Sequence, residues 1–126
     1  MRKANVLLTL GRLKPGQMNK TEKAYRDYLQ ARKLAGEILD YRFEGITLKL
    51  AKDLRYTPDF FVLMPDGTIE FHEVKGGRAI FRDDAKAKCK MCAQLNQWAS
   101  LIVVYPRAKK NGGGWEFEPF LPSDLW

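Results

Sequence analysis

The spacing of hydrophobic positions changes period several times along the chain, and each change marks an element. Val6–Leu10 is a short apolar run of no assignable type, and Lys14-Pro15-Gly16 reads as a turn. A helix is predicted from Asn19, because Glu22 three residues on completes a capping-box pattern. Tyr25, Tyr28, Leu29 and Ala35 fall on one side of that helix, and Gly36 ends it. Leu39, Tyr41 and Phe43 then alternate with Asp40, Arg42 and Glu44, the period of a half-buried strand. The alternation resumes at Ile46, Leu48 and Leu50 shifted by one, which predicts a single long strand bent by a bulge at Gly45.

Tyr56–Leu63 and Thr68–Lys75 read as two further strands, joined by Pro65-Asp66-Gly67. A three-residue loop ending in glycine closes a hairpin through a type I turn and a bulge. A second helix is predicted from Asp83 or Asp84, with Ala87, Met91, Leu95 and Trp98 as its buried stripe. Ser100–Tyr105 is dense in β-branched residues and reads as a buried strand, Lys109–Gly114 as a flexible loop, and Trp115–Glu118 as an edge strand. The order helix, strand, strand, strand, helix, strand predicts an α/β fold. A strand, helix, strand succession implies a right-handed parallel crossover within a small mixed sheet flanked by helices.

Composition fits one domain spanning residues 1–126, with 45% hydrophobic and 29% charged residues. No apolar stretch approaches the roughly 18 residues of a membrane span, and the first residues hold no run suited to a signal peptide. The two cysteines, Cys89 and Cys92, make no disulfide framework, which points to a reducing compartment. Charge adds more. Residues 1–33 hold nine basic and two acidic side chains and residues 76–110 hold eight and two, whereas residues 34–75 hold five and eight. Two basic segments thus flank an acidic middle. A net charge of +7 points to a polyanion such as nucleic acid, with plain solubility as the alternative.

The hairpin register makes the acidic middle specific. The 65–67 loop pairs Met64 with Thr68, and extending that register sets Asp59 opposite Glu73. Their Cβ atoms are then expected about 4.5–5.5 Å apart, and Lys75 projects from the same face as Glu73, as do Phe61, Leu63, Ile69 and Phe71. Like charges directly opposed destabilise a hairpin, so a divalent cation is one candidate to offset them; a bridging Lys75 on an exposed sheet is the other. Pro58 and Gly76-Gly77 lie beside this trio and leave room for a ligand's backbone.

Tyr56-Thr57-Pro58-Asp59-Phe60, followed by Glu73-Val74-Lys75-Gly76, resembles the signature of the PD-(D/E)XK nuclease superfamily. The wider layout, with Glu22 on the first helix and a basic helix opening at Asp83-Asp84, is similar to its phage members. Among these it resembles the endonuclease I type of Holliday-junction resolvase, over roughly residues 18–105. The resemblance implies a restriction-endonuclease-like core and a metal-dependent endonuclease acting on branched or structured phage or prophage DNA. At 126 residues there is little room for a sequence-recognition domain beside such a core, which favours a homodimer, and a location in the host cytoplasm is expected. Asp59 would be the central ligand of Mg²⁺ or Mn²⁺, Glu73 the second, and the Val74 carbonyl a backbone ligand. Lys75 would orient the attacking water and stabilise charge on the phosphate, an electrostatic rather than a general-base duty. A nicking, exonucleolytic or restriction-like nuclease, or a non-catalytic basic nucleic-acid-binding protein, would carry the same residues.

The remaining candidates divide between chemistry and packing. Glu22 is either a further ligand, as the resemblance implies, or only the helix cap. Lys20, Lys23, Arg78, Arg82, Lys86 and Lys90 are the candidate DNA contacts, with Lys86 and Lys90 sharing one helix face at i, i+4. His72 points away from Glu73 and is expected to be structural. Cys89 and Cys92 are expected in a core or interface, and Trp98 in the core.

Overall fold

The computed structural model describes residues 16–77 and 83–121. The Val6–Leu10 run, Arg78 and Arg82 therefore lie outside the described residues. The protein is a mixed α/β structure. In chain order its elements are α1 (Lys20–Leu34), β1 (Asp40–Phe43), β2 (Leu48–Ala51), β3 (Leu54–Tyr56), β4 (Phe60–Leu63), β5 (Ile69–Val74), α2 (Asp83–Leu95), β6 (Ala99–Pro106) and β7 (Trp115–Phe120). Five strands form one sheet in the order β1-β4-β5-β6-β7, and β2 and β3 form a separate two-stranded ribbon. Among the described residues only β5 and β6 of this sheet run parallel, as a connection through a helix allows. No helix among the described residues is long and apolar enough to cross a membrane.

Helix α1 begins where the capping box is complete. Asn19 Oδ1 accepts from the Glu22 N–H at 2.8 Å, and Glu22 Oε1 accepts from the Asn19 N–H at 2.9 Å. Gly36, at φ 79°, ends the helix in the left-handed conformation that glycine adopts without penalty. The buried face of α1 is Tyr25 and Leu29, which pack with Ile38, Phe60, Val62, Val74 and Val104 on one side of the sheet. On the other side, Phe71, Leu101, Val103 and Tyr105 meet Cys89, Cys92 and Ala93 of α2 and Leu48, Leu50 and Tyr56 of the ribbon. β5 is consequently buried on both faces from Phe71 to Val74, with alternate residues feeding the two layers.

Four expectations from the hydrophobic pattern need correction. The strand predicted to bend at Gly45 is two strands in two different sheets. Glu44 takes φ 50°, and Gly45 is packed so closely that a Cβ there would lie 2.7 Å from Arg42 Cβ. The chain leaves the main sheet at this point instead of bulging within it. Tyr56–Leu63 is likewise split, with β3 ending at Tyr56 and β4 starting at Phe60, because Pro58 supplies no ladder donor.

The buried stripe of α2 is not Ala87, Met91, Leu95 and Trp98. Cys89, Cys92 and Ala93 are buried and Met91 only partly, whereas Ala87 is exposed and Leu95 and Trp98 are more than half exposed. Small side chains let α2 sit close on the sheet, and the helix stops at Leu95, so Trp98 belongs to the turn before β6. Trp98 lies edge-on to Phe71 at 5.5 Å and is not a core residue. Finally, Lys109–Asn111 forms a 3₁₀ turn inside the loop that leads to β7, and β7 is an edge strand as expected.

Gly45→Ala should lower stability by about 1–3 kcal/mol, because the added methyl meets a Cβ and not the flexible end of a side chain. Chemical denaturation reads this directly, and an unchanged midpoint would show that the break at Glu44–Gly45 tolerates a side chain.

Candidate active site

The β4–β5 hairpin places the site. Its turn is closed by the Met64 N–H to the Thr68 carbonyl and the Gly67 N–H to the Met64 carbonyl, both at 2.9 Å. Asp66 Oδ1 accepts from the Thr68 N–H and hydroxyl at 3.0 and 2.6 Å, and Gly67 sits at φ 87°. The resulting register pairs Leu63 with Ile69 and Phe60 with His72, so the next residues out are Asp59 and Glu73. This is the register that the loop length predicts.

Beyond Phe60 the regular ladder gives way to side-chain bonds that tie the two acids to the opposite backbone. The Val74 N–H donates to Asp59 Oδ2 at 2.8 Å, and the Asp59 N–H donates to Glu73 Oε1 at 3.3 Å. Lys75 Nζ stands 3.3 Å from Glu73 Oε2. The Asp59 carbonyl accepts from the Glu44 N–H at 2.8 Å, which fixes this strand end against the end of β1. Sequence reasoning missed one partner. The Tyr56 hydroxyl donates to Glu73 Oε1 at 2.8 Å and lies 3.7 Å from Cys89 Sγ. Uninterrupted alternation would point Tyr56 away from Asp59, but the break at Thr57–Asp59 turns it to the same side. Pro58 is the signal in the sequence for that reversal.

Burial dominates the electrostatics. It pushes the Asp59 carboxyl well above the usual range, and the charges of Glu73 and Glu22 add to the rise, while the Val74 N–H pulls it down. Burial also raises Glu73, opposed by the Lys75 ammonium and by the bonds from Tyr56, Lys75 and the Asp59 N–H. The Tyr56 hydroxyl is raised by burial and by Glu73, and the Cys89 thiol is pushed up to about 12, so Cys89 is no thiolate nucleophile. Two carboxyls thus share a poorly hydrated strand end that disfavours carrying both charges.

Glu22 takes the cap position that one of its two alternatives predicts. It is the capping-box acid of α1, and its charge also bears on Asp59 and helps to raise that carboxyl. Asp59, Glu73, Val74, Lys75 and Glu22 are therefore together. Lys20 and Lys23 are exposed on the first turns of α1 beside Glu22, Lys86 is half-buried on α2, and Lys90 is exposed. His72 is structural, as expected. Its Nδ1 shares a 2.6 Å hydrogen bond with the Tyr25 hydroxyl and its Nε2 lies 2.8 Å from Glu70 Oε1, on the α1 side of the sheet.

Among the described residues, no group of three or more His, Cys, Asp or Glu side chains forms a ready metal cage. Asp59 nevertheless interacts with both Glu22 and Glu73, so it is the shared member of two carboxylate pairs. Such a donor set is all oxygen, which suits a hard cation completed by main-chain oxygen and water. No family model matches the chain, and no curated protein or solved structure does.

The raised pKa of Asp59 has a stability consequence with a definite sign. A carboxyl whose folded pKa exceeds its unfolded value of about 4 stabilises the fold below that pH and loses this contribution as pH rises toward the folded pKa. In a chelator, Asp59→Asn should therefore match wild type near pH 4 and become more stable than it as the pH is raised to 8. Thermal denaturation across that range measures the difference. A gap that stays constant with pH would remove Asp59 as a buried, charge-disfavouring group.

Proposed function

We propose that the protein is a metal-dependent deoxyribonuclease with a restriction-endonuclease-like core, hydrolysing phosphodiester bonds as an endonuclease. One observation carries this reading: Asp59 and Glu73 are interlocked at one buried strand end, with Lys75 paired to Glu73 and Glu22 facing Asp59. A structural pair of acids gains nothing from such compression, since each raises the cost of ionising the other. The resemblance of the Pro58-Asp59 and Glu73-Val74-Lys75 stretches to the PD-(D/E)XK signature supports the same reading. It also supports branched or structured DNA as substrate and a homodimer as the working form.

Asp59, Glu73 and the Val74 carbonyl would hold Mg²⁺ or Mn²⁺, with Glu22 reaching it through Asp59's side of the site. The cation supplies Lewis-acid stabilisation of the charge that develops on the phosphate and makes water a better nucleophile. The chain's own residues do the rest. Lys75, held by Glu73, presents an ammonium toward the scissile phosphate and orients water for in-line attack. Tyr56 fixes the Glu73 carboxylate through one oxygen and leaves its orientation little freedom. Gly76 and Gly77, just beyond Lys75, allow a nucleic-acid backbone to come close.

The deciding assay presents linear duplex, single strand, fork and four-way junction, each with Mg²⁺, Mn²⁺, Ca²⁺ or a chelator. Cleavage is expected with Mg²⁺ and Mn²⁺ and not with chelator. Ca²⁺, larger and more loosely coordinated, should support binding without turnover. Asp59→Asn should lose several orders of magnitude in rate, as each 1.36 kcal/mol of lost barrier lowering costs about tenfold. Cleavage by Asp59→Asn at the wild-type rate would end the assignment.

Lys90 gives a separate test of the basic helix. If it contacts a phosphate, Lys90→Ala should lower the slope of log K against log salt by about one on every DNA structure. An unchanged slope leaves Lys90 as a solvated side chain.

A further inference from the structure

We infer that the β2–β3 ribbon is a second polyanion-binding element, a cationic arm that holds the DNA backbone next to the site. This rests on the nuclease reading, but it is drawn from a part of the chain whose overall charge is negative. The ribbon's inner face, Leu48, Leu50 and Tyr56, is buried in the core. Its outer face carries Lys49 and Arg55, both exposed and directly paired in the strand register, with Lys52 at the turn. Asp53 is the single acid between Leu48 and Tyr56. None of the three cations has an ion-pair partner among the described residues.

Two like charges opposed across an antiparallel pair stand about 4.5–5.5 Å apart at Cβ and weaken the pair. A two-stranded ribbon has little stability to spare for that. An anion lying across both side chains reverses the sign of the interaction, and a phosphate backbone supplies such anions at regular spacing. The ribbon is also fastened to the catalytic end of the sheet, because Tyr56, the residue after Arg55, donates its hydroxyl to Glu73. From Tyr56 back to Leu54 the strand β3 reaches about 7 Å at roughly 3.3 Å per residue, and Lys52 lies beyond it in the turn. That equals about two base pairs of duplex rise, so the arm holds DNA immediately beside the bond to be cut. The ligand is duplex backbone and not a base sequence, since lysine and arginine on a flat ribbon read charge and spacing.

Two variants test this in chelator, with a linear duplex and a four-way junction as probes. The double variant Lys49→Ala/Arg55→Ala should lower the slope of log K against log salt by about two and weaken binding about ten- to hundredfold near 0.1 M salt. Lys49→Glu should weaken binding too, yet its unfolding midpoint should equal or exceed that of wild type, because it converts a repulsive cross-strand pair into an attractive one. Lost affinity without lost stability therefore supports the arm. If wild type binds both probes and the double variant binds them with the same slope, the arm is overturned and the nuclease reading stands. If wild type shows no salt-dependent binding to either probe, both fall. If the variant loses affinity with an unaltered slope, the effect is not phosphate contact, and the arm is overturned.

Discussion

Two carboxylates can occupy one buried strand end only if donors are fixed around them, and in this protein the backbone of a hairpin provides those donors. The Val74 and Asp59 N–H groups each point at the opposite acid, so the bonds that would have continued the ladder are spent on side chains. The register decides whether this happens. A shift of one residue would turn Glu73 to the α1 side, where His72 now sits, and set Asp59 against an apolar neighbour. The turn at Asp66-Gly67, far from the acids, therefore governs the geometry at the other end of the strands.

The two layers of the fold meet at that end. β5 brings Glu73 to the α2 side, yet the charge of Glu22, on α1, bears on Asp59 as well. A helix N-terminus is a place where a carboxylate is favoured by the helix dipole and by unsatisfied N–H groups. The capping box holds Glu22 at that place, and its charge adds to Asp59's surroundings. Tyr25, one turn further along α1, is bonded to His72 of β5, which holds the helix in the position this requires.

What could be read from the residues follows from how local the cause is. The cap at Asn19–Glu22, the hairpin register, the facing of Asp59 and Glu73, and the parallel placement of β6 all follow from short-range spacing, and the structure has each of them. The ribbon did not emerge because alternation continues across Gly45 and across Pro58, and period alone cannot say when a strand leaves one sheet for another. Tyr56 was lost for the same reason, since its direction depends on the break that follows it. The face of α2 was misread because large apolar residues drew the stripe, whereas close packing on the sheet selected Cys89, Cys92 and Ala93. The nearness of Glu22 to Asp59 is tertiary. No spacing within the chain encodes it.

The sheet's outer strands differ from its interior in a way that bears on solubility. β7 carries Glu116, Glu118 and Pro119 within six residues, and β1, at the far side, is four residues long with Asp40 and Arg42. Proline removes a donor from an edge, and charged side chains on short edges make an approaching strand desolvate ions before it can pair. Neither border is an easy template for adding strands. A central region as apolar as β5 and β6 can thus be kept from open-ended stacking into fibrils by its margins, leaving the molecule's faces and ends as the surfaces on which other molecules can settle.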